Sequence, residues 1–146
     1  MSFANLSRLA QQRPLRVLLV NAGEADAITW AGLAQPLRLA ATILGKDALH
    51  LETMTPAQLL LAPPAHHHLA LLVADENQAP MAAAQGRAVI ERCRAADYWG
   101  GVGAGVLWLA EAGLMAGVRI ALPWALYADT EHMNGRAILT PHLFEL

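Results

Sequence analysis

The apolar positions of this chain change period several times, and each change marks an element. Residues 15–20 (LRVLLV) are a Val- and Leu-rich run bounded by Pro14 and by Asn21, Ala22 and Gly23, as in a parallel strand buried on both faces. From 25 to 44 the spacing becomes helical, with Ile28, Leu33, Leu37, Leu39 and Ile43 apolar, and Gly45 stands where a C-cap belongs. Pro36 falls inside this pattern and predicts a kink or a broken first turn. Residues 48–54 alternate like a strand near a sheet edge. Thr55 and Pro56 then open a short helix through Leu61, closed by Pro63 and Pro64. Residues 69–74 form a second continuous apolar strand, ending in Asp75, Glu76 and Asn77. Residues 80–96 read as a helix with Pro80 at its start and Ala82, Val89, Ile90 and Cys93 inward.

Next come a short buried strand (98–102), a glycine turn, a helix (104–115) and a strand (118–122). A helical turn over 125–133 and a last strand over 137–144 complete the pattern, while residues 2–12 suit a short packed helix or a loose leader. Strands alternating with helices over short connections predict an α/β fold, a three-layer doubly wound, mostly parallel sheet.

At 146 residues, 55% apolar and 15% charged, the chain suits one domain with a substantial core and is too apolar to be disordered. A net charge of -2 without a basic run argues against a direct grip on phosphate backbones. The single cysteine, Cys93, precludes an internal disulfide and fits a reducing, cytoplasmic setting. Apolar stretches are interrupted well short of the ~18 residues of a membrane span, and no secretory signal pattern precedes Val17.

A strand turning sharply into a helix is the layout of a nucleophile elbow, which presents Oγ or Sγ at the sheet edge. Gly101, Gly103 and Gly105 supply the small residues such a turn requires, yet no Ser, Cys or Thr lies in it. The scaffold is present without the nucleophile. Ligands of doubly wound sheets sit beyond the carboxyl ends of the strands, where strand order switches. That rule gathers residues 21–26, Asp75, Glu76, Asn77, residues 103–105, Pro123 and Trp124 around one crevice.

Within that crevice, Gly103 is expected to leave room, and the amides opening the helix at Ala104 carry partial positive charge suited to a carboxylate. Asp26, Asp75 and Glu76 could neutralise a cation. Of the four tryptophans, Trp30, Trp99, Trp108 and Trp124, one or two at the crevice would hold an alkylammonium by cation–π contact, with Trp99 and Trp108 better suited to the core. An amino acid or betaine-like zwitterion is the ligand class this combination predicts.

Residues 101–124 (GVGAGVLWLAEAGLMAGVRIALPW) resemble the elbow-and-helix segment of PfpI/ThiJ-like domains, part of the class I glutamine-amidotransferase-like superfamily. The form found at the N-terminus of AraC-type transcriptional regulators is the more similar one. Residues 109–115, Gly117 and Trp124 carry the match, and residues 30–40 (WAGLAQPLRLA) resemble the apolar helix after the family's first strand. The resemblance implies a flavodoxin-like, class I glutamine-amidotransferase-like sheet. In enzyme-like members it implies a cysteine at the position of Gly103, a histidine at Pro123 and a glutamate at Gln35. Glycine, proline and an amide cannot act as nucleophile or base. Their presence agrees with a sensor of the AraC type.

Residues 1–146 are therefore expected to be a single, non-catalytic PfpI-like domain, N-terminal in an AraC-type regulator, for effector sensing and dimerisation. No cofactor is expected. Its closing elements and its DNA-binding helix-turn-helix domain are expected beyond Leu146. The expected partners are a small-molecule effector, a second copy of the chain, and DNA only through that further domain; no membrane partner is expected. The expected ligand-binding residues are Asn21, Gln35, Asp75, Glu76, Gly103, Ala104, Gly105 and Trp124. The rival readings are a free-standing PfpI/ThiJ-like hydrolase or glyoxalase, for which Cys93 is the one thiol, and a pseudoenzyme scaffold.

Other candidates read more plainly. Adjacent strand residues point to opposite faces, so His66, His67 and His68 are expected in a solvated loop without metal. The run 101–105 lacks a third dinucleotide-binding glycine, since Val106 stands there. Arg87, Glu91, Arg92 and Arg94 read as an ordinary exposed helix face.

Overall fold

The computed structural model describes residues 8, 11, 13–23, 27–45, 47–75, 81–123, 125–126 and 137–140. Its elements are β1 (Leu15–Asn21), α1 (Ala27–Leu44), β2 (Leu49–Met54), α2 (Pro56–Leu61), β3 (Leu69–Ala74), α3 (Ala83–Arg94), β4 (Tyr98–Gly103), α4 (Ala104–Glu111), β5 (Arg119–Ala121) and β6 (Ile138–Thr140). β1 to β4 form one parallel sheet in the order β2-β1-β3-β4, the flavodoxin-like arrangement. The chain moves from β1 to β2 on one side and then crosses to β3 on the other, so strand order switches between β1 and β3.

The alternation of side chains along β1 splits the core in two. Val17 and Leu19 face α1, packing with Ala34, Trp30, Leu33 and Leu37. Leu18 and Val20 face the other layer, with Ala70, Leu72, Leu59, Val89, Cys93, Trp108 and Leu109 from β3, α2, α3 and α4. The α/β expectation holds, with helices on both faces of a parallel sheet.

Several boundaries follow from local chemistry. α2 starts with a capping box: the Gln58 N–H donates to Thr55 Oγ1 at 3.2 Å, and the Thr55 N–H donates to Gln58 Oε1 at 2.8 Å. α4 ends at Glu111, short of the expected residue 115. The Leu114 N–H donates to Leu109 O, the Gly113 N–H donates to Ala110 O, and Gly113 takes φ 78°, which together make a Schellman stop. α1 runs unbroken through Pro36, where an interruption was expected. α3 begins at Ala83, and Ala82 is its exposed N-cap, not an inward residue. β5 carries three residues and pairs in parallel with β6 in a separate two-stranded sheet. Most of residues 2–12 and 125–133 and half of residues 137–144 lie outside the described residues.

Candidate functional site

The turn between β4 and α4 is as sharp as the sequence implies. Gly103 is the N-cap of α4 at φ 61°, ψ -134°, a conformation that residues with a Cβ rarely adopt. A Cβ on Gly103 would run into the carbonyl oxygen of Ala74, and one on Gly105 into that of Leu72. A Cβ on Gly101 would lie 2.5 Å from the Val106 amide nitrogen. Gly103 and Gly105 thus let the turn and α4 close directly on the backbone of β3, and Gly101 lets β4 approach the first turn of α4. This corrects the expectation that Gly103 leaves room for a ligand: the space is filled by protein.

Asn21, Asp75 and Gly103 lie side by side at the carboxyl ends of β1, β3 and β4. Asn21 pairs with Val73, Gly103 pairs with Ala74, and Asp75 follows directly. Asn21 and Asp75 flank the β1/β3 switch point. The edge is tied by the Ala22 N–H donating to Val73 O at 2.8 Å and the Gly23 N–H donating to Asn21 Oδ1 at 3.4 Å. Ala104 and Gly105 are buried in the first turn of α4.

Gln35 is not brought to this edge. It is exposed in the middle of α1, whose buried side covers the sheet face opposite α4. Pro123 is half-buried after β5. Asp26, Glu76, Asn77 and Trp124 lie outside the described residues. The three described tryptophans pack into the cores, Trp30 on one face and Trp99 and Trp108 on the other. Cys93 is buried, and desolvation pushes its thiol up to about 12, which keeps it protonated and unreactive near neutral pH.

A polar cluster near the amino ends of the strands was missed by sequence reasoning. Glu52 on β2 takes an ion pair from Arg16 at 2.9 Å and lies 3.1 Å from His50 Nε2 and 3.2 Å from His67 Nε2. Burial opposes ionisation of Glu52, but the hydrogen bonds and charges of Arg16 and His67 outweigh it and hold the carboxyl below its ordinary value. His67 is buried, so the histidine run is not simply a solvated loop. The only signals for this cluster were the alternation of His50 and Glu52 on β2 and the histidine run itself.

Alternation also sends His66 and His68 to the same side, where they meet Asp97 with ligand-type atoms all within 4.8 Å of one another. His68 Nδ1 accepts the Arg16 N–H at 2.9 Å, which puts the proton of the neutral ring on Nε2. A metal would have to displace that bond or that proton. What stands is a His66–Asp97 pair at 3.0 Å with His68 packed edge-on against His66.

With fold and edge defined, the chain is a flavodoxin-like α/β protein whose elbow lacks a nucleophile. No protein-family model matches it. In fold it is similar to the crystal structure of an AraC family transcriptional regulator from Pseudomonas putida, with TM-score 0.67 at 16% identity, covering 91% of this chain and 80% of that one. A protein from Vibrio parahaemolyticus, provisionally described as a transcriptional regulator, gives TM-score 0.67 at 11% identity over 88% of this chain and 76% of that one. In sequence, 74 residues are 38% identical to the HTH-type transcriptional regulator ArgR of Pseudomonas aeruginosa. That match takes in 51% of this chain and 22% of the regulator, about a fifth of its length. Among the described residues, no helix is long and apolar enough to cross a membrane.

Proposed function

We propose that this chain is a PfpI-like, non-catalytic effector-sensing and dimerisation domain of an AraC-type transcriptional regulator, working in the cytoplasm. The observation that carries the reading is the elbow, where the conformation of a presenting turn is kept while the β3 backbone occupies the place of its side chain. A hydrolase or glyoxalase would need a nucleophile, and the one thiol, on α3, is buried in the core. The likeness to regulators in fold, and to ArgR over part of the sequence, supports the same reading.

The effector is a small zwitterion, an amino acid or betaine, held at the carboxyl edge of β1, β3 and β4. The partial positive charge at the start of α4 attracts its carboxylate, and Asp75 attracts its cationic group. DNA contact falls to a helix-turn-helix module outside these residues, in keeping with the low net charge of this chain. The test is a thermal-shift screen of amino acids and betaines against the purified chain. A ligand at a hundred times its Kd adds about 2.7 kcal/mol to stability. A clear rise in midpoint for one zwitterion class is expected; no rise for any member at millimolar concentration would favour the scaffold reading.

A further inference from the structure

The outward face of α1 carries Ile28, Leu39 and Ile43 at 84%, 60% and 73% exposure. A surface helix normally turns polar residues to water, and one that is apolar all round is covered. At 100° per residue, Ile28, Gly32, Gln35, Pro36, Leu39 and Ile43 fall within one outward stripe, opposite the buried Ala34 and Leu37 side. The only charge in the helix, Arg38, lies off this stripe.

The stripe is complementary to its own inverse. When a second α1 is laid antiparallel about a two-fold axis between Gln35 and Pro36, Ile28 meets Ile43, Gly32 meets Leu39 and Gln35 meets Pro36. Nothing beyond its own helix lies within 4 Å of where a Cβ on the exposed Gly32 would stand, so a leucine can approach the helix backbone there. A charged partner would find nothing to pair with on this face, whereas an identical copy finds both its large ends and its small waist matched.

We propose that the outward face of α1 is the isologous interface of a homodimer. The inference rests on the dimerisation part of the reading above and adds where the contact lies. An 18-residue helix spans about 27 Å. A single helix pair of that length sits at the small end of specific interfaces, so the dimer should be concentration-dependent.

Sedimentation velocity over a wide range of concentrations tests it, on the wild type and on Ile28→Glu, Leu39→Glu and the control Leu61→Glu. Leu61 is 88% exposed on α2 and lies off the stripe. A dimer is expected for the wild type and the control, and monomers with native circular dichroism for the two stripe variants. A wild type that dimerises equally well with glutamate at 28 or 39 overturns the surface and leaves dimerisation standing. A wild type monomeric at every concentration overturns both, the face then being covered by another segment or partner. If the glutamate variants unfold, Gln35→Cys decides: the proposal expects an inter-subunit disulfide on mild oxidation, and its absence in a folded dimer is contrary.

Discussion

The carbonyl oxygen of Ala74 occupies the place where a side chain on Gly103 would have to begin. The elbow therefore differs from a presenting turn in more than the identity of one residue. Adding a thiol would require the end of β3 to move, and the backbone angles of Gly103 would still be costly for any L side chain.

Gly103→Cys should accordingly lower stability by about 2 kcal/mol or more, from backbone strain and overpacking together. Urea unfolding measures it. No esterase activity should appear in the folded variant, and a stable, active Gly103→Cys protein would contradict the account of the elbow.

Arg92, expected on an ordinary exposed face, reaches across to α2. Its guanidinium donates to Leu59 O at 3.1 Å, Ala62 O at 2.8 Å and Pro63 O at 3.2 Å, serving the carbonyls at the end of that helix. Arg92→Ala should cost about 1–3 kcal/mol. It should also raise amide exchange in α2 selectively, which hydrogen-exchange mass spectrometry reads.

The apolar runs gave β1 and β3 nearly to the residue, and Gly45 and the glycine turn after β4 were legible because each has a backbone reason. Long-range pairings were not. Arg16 and Glu52 lie 36 residues apart, and only the parallel register of β1 on β2 brings them together. The phase of α1 was also hidden. With apolar residues all round, the helix offers no sequence cue that Leu33 and Leu37 pack on the sheet while Ile28, Leu39 and Ile43 face outward. Gln35 was expected at the crevice from the family resemblance, and the phase of α1 leaves it exposed instead.

Glu52 sets an acid limb of stability. Its folded carboxyl titrates below its ordinary value, so the unfolded chain binds the proton more readily. The stabilisation is complete above the ordinary carboxylate range and is lost as pH falls through the lowered folded value. Glu52→Gln should flatten stability against pH in that acid window, as thermal unfolding between pH 3 and pH 7 would show.

Cys93 should react with a thiol reagent only as fast as the protein opens, since its thiol is buried and pushed up to about 12. Labelling in native buffer should be slow and should accelerate sharply in urea. Immediate labelling of the native state would revive the hydrolase reading.

The central claim is a ligand site at the carboxyl edge of the sheet, tested most directly by amide chemical-shift mapping. The labelled chain would be titrated with each zwitterion that raises its thermal midpoint. The account predicts saturable shifts concentrated at Asn21, Asp75 and residues 103–105. Shifts confined to the Glu52 and histidine cluster at the opposite pole, or none at saturating ligand, would contradict it.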